Sequence, residues 1–303
     1  MAPHDEQCWI HRLMRTQGEC DDAVMGPAHA ATGVAAFLAV LAFGATFTAY
    51  FVTNSPTVGI FALSLLAFVA GALIPDFDNT SSTAKSAMGI FGEPITVLFR
   101  ESSRLVQTIH TKADAKSRAK SHDYLHRGFW HSLMGAVALA LVVNLATSNP
   151  IVTAFKLPLG FIGIHNLGAL IAAIICLAAM HIALSGLNIG ALKGGKHLNS
   201  MVTFILSLVI TGALFASIPA GQYTWIGYSM GAGAVVHIIG DMFTKSGVPL
   251  LAPIVPRKGK LWYTYRVATY DAKSPSLNSG VLWLSIGISV LSLLVLLPRI
   301  FGH

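Results

Sequence analysis

Apolar runs of membrane-crossing length recur along almost the whole chain, and no soluble core could hide them. They cover about Pro27–Val52, Thr57–Leu73, Phe129–Ser148, Ile164–Leu187, Met201–Pro219, Tyr223–Phe243 and Val281–Leu297, each near the ~20 residues that a helix needs to cross a bilayer. With 54% hydrophobic and only 11% charged residues among 303, the composition points the same way. The expected fold is therefore all-α: a polytopic transmembrane bundle of about seven spans. Residues 1–26 form a cytoplasmic N-terminal tail, residues 27–303 the transmembrane domain, and residues 79–123 a long cytoplasmic or interfacial insertion. The tail lacks the basic start and short apolar core of a cleaved signal peptide.

The formal charge of +7 raises the question of nucleic acid. In a membrane protein, however, excess Lys and Arg mark cytoplasmic loops and attraction to anionic lipid, so no nucleic-acid partner is expected. Cys8, Cys20 and Cys176 stand in no paired spacing and ask for no oxidising compartment. In the insertion, Ile95, Leu98, Phe99, Leu105, Val106 and Ile109 recur at three- and four-residue intervals just after Pro94. That period predicts an amphipathic helix lying on the membrane surface. Gly247–Pro256 is apolar but holds three prolines, which suits a re-entrant or interfacial loop better than a span.

Threading the seven spans back and forth places the ligand-type residues. His29 begins the first span, Asp76 and Asp78 follow the second, His126 and His131 introduce the third, and His237 and Asp241 end the sixth. Alternation puts all seven on one side. That side also carries 18 of the 20 Lys and Arg residues, with only Lys156 and Arg299 opposite, so it is expected to be cytoplasmic, with the C-terminus on the other side. Ionisable groups at membrane depth are costly and mark function. Four histidines and three aspartates exceed a closed zinc site and include no cysteine, which favours a cluster of two or more divalent ions: zinc, or else manganese or iron. Such a cluster activates a bound water and can clamp both oxygens of a phosphoryl displacement.

Arg127, between His126 and His131, is suited to hold an anionic oxygen and is assigned with Asp78 to catalysis; Ser81 and Ser132 are weaker hydrogen-bonding candidates. The two histidines are five residues apart, so a continuous helix would turn them about 140° from one another. Either His126 lies in the loop before the third span or the two serve different ions. His122-Asp123-Tyr124-Leu125-His126 has the spacing of a helical zinc-protease motif but carries aspartate where glutamate is required. His4, Cys8, His11 and Cys20 fit no closed four-ligand spacing. His165 and His181, within the fourth span, read as buried, hydrogen-bonded residues.

Four motifs in order resemble the YdjM family of inner-membrane proteins, described as metal-dependent hydrolases related to the zinc-dependent phospholipase C and P1 nuclease group. They are Gly26-Pro27-Ala28-His29, Gly71-Ala72-Leu73-Ile74-Pro75-Asp76-Phe77-Asp78, His126-Arg127-Gly128-Phe129-Trp130-His131-Ser132, and His237-Ile238-Ile239-Gly240-Asp241 continuing through Gly247 to Pro253. The resemblance covers about half of the chain and leaves residues 79–123 and the fourth and fifth spans as additions. It implies that His29, Asp76, Asp78, His126, His131, His237 and Asp241 are the metal-site residues. The combined expectation is an inner-membrane hydrolase acting on a phosphoester of a lipid or amphiphile. The rival readings are an ion or metal transporter using the same residues and a noncatalytic, metal-stabilised scaffold.

Overall fold

The structure, a computed structural model, describes residues 25–43, 58–79, 82–110, 127–160, 164–191, 200–218, 223–254, 262–268 and 274–301. The expected tail, His126 and the zinc-protease-like His122 lie outside these residues. Helices dominate. The long ones are α1 (Met25–Phe43), α2 (Val58–Gly71), α4 (Gly92–His110), α5 (Leu133–Ser148), α7 (Leu167–Ala191), α8 (Ser200–Phe215), α9 (Thr224–Met242) and α10 (Pro275–Phe301), with short α3 (Thr83–Ala87) and α6 (Pro150–Ala154) between them.

Local chemistry sets the ends that matter for the site. Past Gly71 the chain tightens into a 3-10 turn over Ile74–Asp78 with Pro75 in its first positions, where a missing N–H costs nothing. A second 3-10 turn over Phe129–His131 leads into α5, and Ser132 caps that helix by accepting from the Gly135 N–H at 3.0 Å. Ser132 is thus a helix cap. Another orphan donor of the same helix end, the Leu133 N–H, bonds the Leu250 carbonyl at 3.1 Å. Residues 247–254 therefore fold as turns against the start of α5, as their prolines foretold, with Val248 and Ala252 buried.

Three stretches are long and apolar enough to cross a membrane among the described residues: Leu133–Ala154, Leu167–Ser185 and Asn278–Leu296. The apolar parts of α1, α2 and α8 are shorter; the 14 residues of α2 rise only about 21 Å against a hydrocarbon thickness of about 30 Å. Each of the seven expected spans holds a helix over its described residues, while the criterion of length and hydropathy is met by three. The fourth departs from expectation at its start. Lys156–Leu159 and Ile164–Asn166 pair as a small antiparallel hairpin, α7 begins only at Leu167, and His165 is exposed on the second strand. Asn166, whose Oδ1 accepts from the Ala169 N–H at 2.8 Å, caps α7 and sets its start. His181 is buried and bonds the Ala87 carbonyl at 2.8 Å through Nε2, as its apolar surroundings required.

Helix α9 is the centre of the bundle, packed on α5, α2 and α1. Small residues let it approach closely. Gly227 and Gly231, spaced as a GxxxG pair, lie against Ala140 of α5, while Gly71 of α2 and Gly233 of α9 let the two backbones touch. A Cβ at Gly233 would collide with the Phe68 carbonyl oxygen, and one at Gly71 with that of Met230. Helix α10 packs on α1, and most of its side chains face outward. Replacing Gly233 by alanine should therefore push α2 from α9 and cost about 1–3 kcal/mol, the usual penalty of overpacking. A thermal unfolding scan of the protein in detergent checks this; an unchanged midpoint would contradict the close packing.

Candidate metal centre

The site lies where α1, α2, α5 and α9 present their ends to one another. His29 comes from the first turns of α1, Asp76 and Asp78 from the 3-10 turn beyond α2, His131 from the 3-10 turn before α5, and His237 and Asp241 from successive turns of α9. Ligating atoms of His29, His237 and Asp241 lie within 4.8 Å of one another, and so do those of Asp76, His131 and His237. The alternation read from the sequence predicted this convergence. Apart from Asp76, whose side chain is 20% exposed, all of these residues are buried.

Protonation is dictated by the neighbours. His237 Nδ1 lies 2.8 Å from the Ala72 carbonyl oxygen, which can only accept, so Nδ1 carries the proton and the Nε2 lone pair points into the site. There it faces Asp76 Oδ1 and Asp241 Oδ2, each at 3.6 Å, and it has no hydrogen-bond partner among the described residues. His131 Nε2 faces the same two carboxylates at 3.5 and 3.7 Å. All four separations are too long for charge-assisted hydrogen bonds. They come close to the ~3.3 Å expected between two ligands that bind one ion at ~2.0–2.1 Å and a tetrahedral angle. A buried ring nitrogen aimed at two carboxylates suits a divalent cation as it would a proton. Asp76, His131 and His237 therefore suit one ion, and His29, His237 and Asp241 form another such group. His29 Nε2 reaches the other oxygen of Asp241, Oδ1, at 3.7 Å.

Asp78 stands behind His131 rather than beside the other carboxylates. Its Oδ2 is 3.2 Å from His131 Nδ1 and accepts from the Gly128 N–H at 3.4 Å. Residues two apart in a 3-10 turn point some 120° from each other, so Asp76 and Asp78 grip opposite nitrogens of the same imidazole. This is the carboxylate–histidine arrangement that orients metal ligands. Arg127 is likewise engaged: Nη2 pairs with Asp241 Oδ1 at 3.3 Å, and Nη1 donates to Thr244 Oγ1 at 2.5 Å and to the Gly247 carbonyl at 3.1 Å. Its backbone takes φ +61°, a left-handed conformation that costs a non-glycine residue about 1–2 kcal/mol and that the three contacts hold in place. The sequence had suggested an anion clamp here; the guanidinium is spent on Asp241 and the loop after α9.

Two contributors escape a reading of ligand-type side chains. The Ala72 carbonyl fixes the His237 tautomer, and its signal is Pro75, which lacks the N–H that would otherwise close a three-residue turn onto it. Thr244, which donates to the Asp241 carbonyl at 2.7 Å while accepting from Arg127, is signalled only by its position one turn beyond Asp241.

Charge completes the case. Asp76, Asp78 and Asp241 bring three negative charges together, against the one fixed positive charge, among the described residues, of Arg127. Burial by itself would raise the Asp76 carboxyl, yet His237 and His131 hold it below the usual carboxylate range. At His131 burial would lower the ring, but the Asp78 and Asp76 carboxylates outweigh it and push it up to about 10. A site that so favours a proton on His131 is short of positive charge, which a divalent ion supplies. Asp78→Asn keeps the shape but removes the charge behind His131. It should weaken divalent-ion affinity about 10–100-fold with helix content unchanged, as read by competition against a chelating dye; unaltered affinity would show that Asp78 has no part in orienting the ligand.

No curated protein and no solved structure matches this chain. The model of one family, described as YdjM inner membrane protein, matches residues 24–192 and 194–299. The matched span also takes in residues 79–123 and helices α7 and α8. With the match covering nearly the whole chain, the protein belongs to the YdjM inner membrane protein family.

Proposed function

We propose that this chain is a membrane-embedded, metal-dependent hydrolase whose metal centre faces the cytoplasm and whose substrate is a phosphoester borne by a lipid or another amphiphile. One observation carries the reading: the 3.5–3.7 Å separations that join His131 and His237 to Asp76 and Asp241. A divalent ion, zinc or alternatively manganese or iron, supplies a water acidified toward neutrality and positive charge for the oxygens of a phosphoryl displacement. Asp76, the ligand with most exposure, stands where water and substrate reach the site and can accept a proton there. Asp78 keeps the Nδ1 proton of His131 in place, and Arg127 fixes Asp241.

The single Nε2 lone pair of His237 serves one ion. Asp241 presents its two oxygens to different histidines, Oδ2 to His131 and His237 and Oδ1 to His29, so His29 with Asp241 would hold a second ion. Placement at the ends of α1, α2, α5 and α9 supports an enzyme over a transporter, whose sites lie near the bilayer midplane within broken helices. The lipid or amphiphile as substrate follows from the same placement, and the cytoplasmic orientation from the 18 Lys and Arg residues on that side.

Elemental analysis of the full chain in lipid nanodiscs, paired with a panel of amphiphilic phosphoesters, tests the reading. The wild type should retain at least one divalent ion per chain and hydrolyse a member of the panel, and His237→Ala should lose both. Equal trace metal in the two proteins removes the metal centre; retained metal with no turnover leaves a scaffold and removes the hydrolase.

A further inference from the structure

Helix α4 is inside out by the standards of a water-soluble fold. Its apolar residues Leu98, Leu105 and Ile109 are 64%, 62% and 66% exposed, whereas its polar residues Thr96, Ser103 and Gln107 are buried. An amphipathic helix at a water interface turns its apolar stripe to the core; this one packs through its polar stripe and the Ile95 and Phe99 flank of the apolar one, and turns the rest of that stripe away. Ile90 and Phe91, just ahead of the helix, are exposed as well and extend the apolar strip.

Three observations say what covers that strip. First, α4 packs on the two 3-10 turns, Ile74–Asp78 and Phe129–His131, and these turns directly follow α2 and precede α5. It therefore lies at the level where two apolar helices end, which for a membrane-spanning bundle is where hydrocarbon gives way to headgroups. Second, exposed Glu101 and Arg104 flank the strip and pair with each other at 2.8 Å, a polar border parallel to the apolar face. Third, the sequence just past Ile109 supplies Lys112, Lys116, Arg118 and Lys120, the basic complement that anionic headgroups attract.

The same helix grips the metal centre from outside. The Phe99 ring lies 4.6 Å from that of Trp130 and 5.6 Å from that of Phe77. The Trp130 indole N–H donates to the Phe99 carbonyl at 3.1 Å and to Ser102 Oγ at 2.9 Å. Phe77 stands between Asp76 and Asp78, and Trp130 immediately precedes His131. One helix thus ties together the two turns that carry three of the site's residues.

We propose that the strip of Ile90, Phe91, Leu98, Leu105 and Ile109 is seated in the headgroup–acyl boundary of the membrane that holds the chain, and that this seating, relayed through Phe99 to Phe77 and Trp130, holds the two ligand-bearing turns in register. The metal centre then takes its phosphoester at headgroup depth, a consequence that rests on the hydrolase reading; the seating itself does not.

The test uses the full chain in phosphatidylglycerol and phosphatidylcholine vesicles, with Cys8, Cys20 and Cys176 replaced by alanine and one bimane-labelled cysteine introduced at a time. Leu98→Cys and Leu105→Cys should be strongly quenched by lipids brominated along the acyl chain, and Glu101→Cys on the polar border much less. Equal, weak quenching at all three positions overturns the seating, as does loss of quenching accompanied by energy transfer between labelled copies, which would make a second copy the cover. Joint Leu98→Asp and Leu105→Asp substitution, which alters no residue of the metal centre, should weaken zinc affinity several-fold in the same vesicles. Unchanged zinc affinity with helix content retained overturns the relay. Strong quenching without phosphoester turnover leaves the seating intact and fails only the hydrolase reading; turnover without quenching does the reverse.

Discussion

Three carboxylates, two of them buried, set among histidines at the mouth of an apolar helical bundle are the arrangement on which the rest depends. Asp76, Asp78 and Asp241 cannot stay ionised in such a place without positive charge nearby, and Arg127 provides only one. The fold meets the demand by arranging lone pairs and protons around them. The Ala72 carbonyl fixes one imidazole, Asp78 the other, and the guanidinium fixes one oxygen of Asp241. What is left over is a set of nitrogens and oxygens facing one another at separations that suit coordination and not hydrogen bonding. The apolar bundle beneath serves to bring helix ends together, and the site at those ends is the part with chemical consequence.

Much of this was legible in the sequence, because the rules involved are one-dimensional. Apolar runs give helices, and back-and-forth threading gives sides, so His29, Asp76, His131, His237 and Asp241 could be assigned to one end before any distance was known. The i, i+4 spacing of His237 and Asp241 fixed their common face. The amphipathic period of residues 95–109 was equally plain, and α4 forms as that period requires. Pro75 announced the end of α2.

What escaped depended on geometry finer than a period. That Asp78 stands behind His131 follows from a 3-10 turn, in which two residues diverge differently than in an α-helix or a loop, and nothing in Asp-Phe-Asp distinguishes those cases. Arg127 looked free because its partners, Thr244 and the Gly247 carbonyl, lie more than a hundred residues away and one of them is backbone. His165 looked buried because Ile164–Leu187 is uniformly apolar, yet the hairpin before it keeps the first residues out of the helix. That α4 buries Thr96, Ser103 and Gln107 while packing on the two 3-10 turns was also beyond a periodicity argument, since a period reports that two faces differ and not what each of them meets.

The close contact of α2 with α9 reaches further than packing. Gly233 rests on the Phe68 carbonyl, and four residues on along both chains His237 bonds the Ala72 carbonyl. The two helices run side by side in the same direction, and the glycine contact is repeated one turn later as the contact that sets the imidazole. A bundle seam and a metal ligand thus share one register. Inserting a single residue between 233 and 237 would swing the ring by about 100° and leave the glycine seam intact. The interval of four residues in each helix is therefore a ruled length within the molecule.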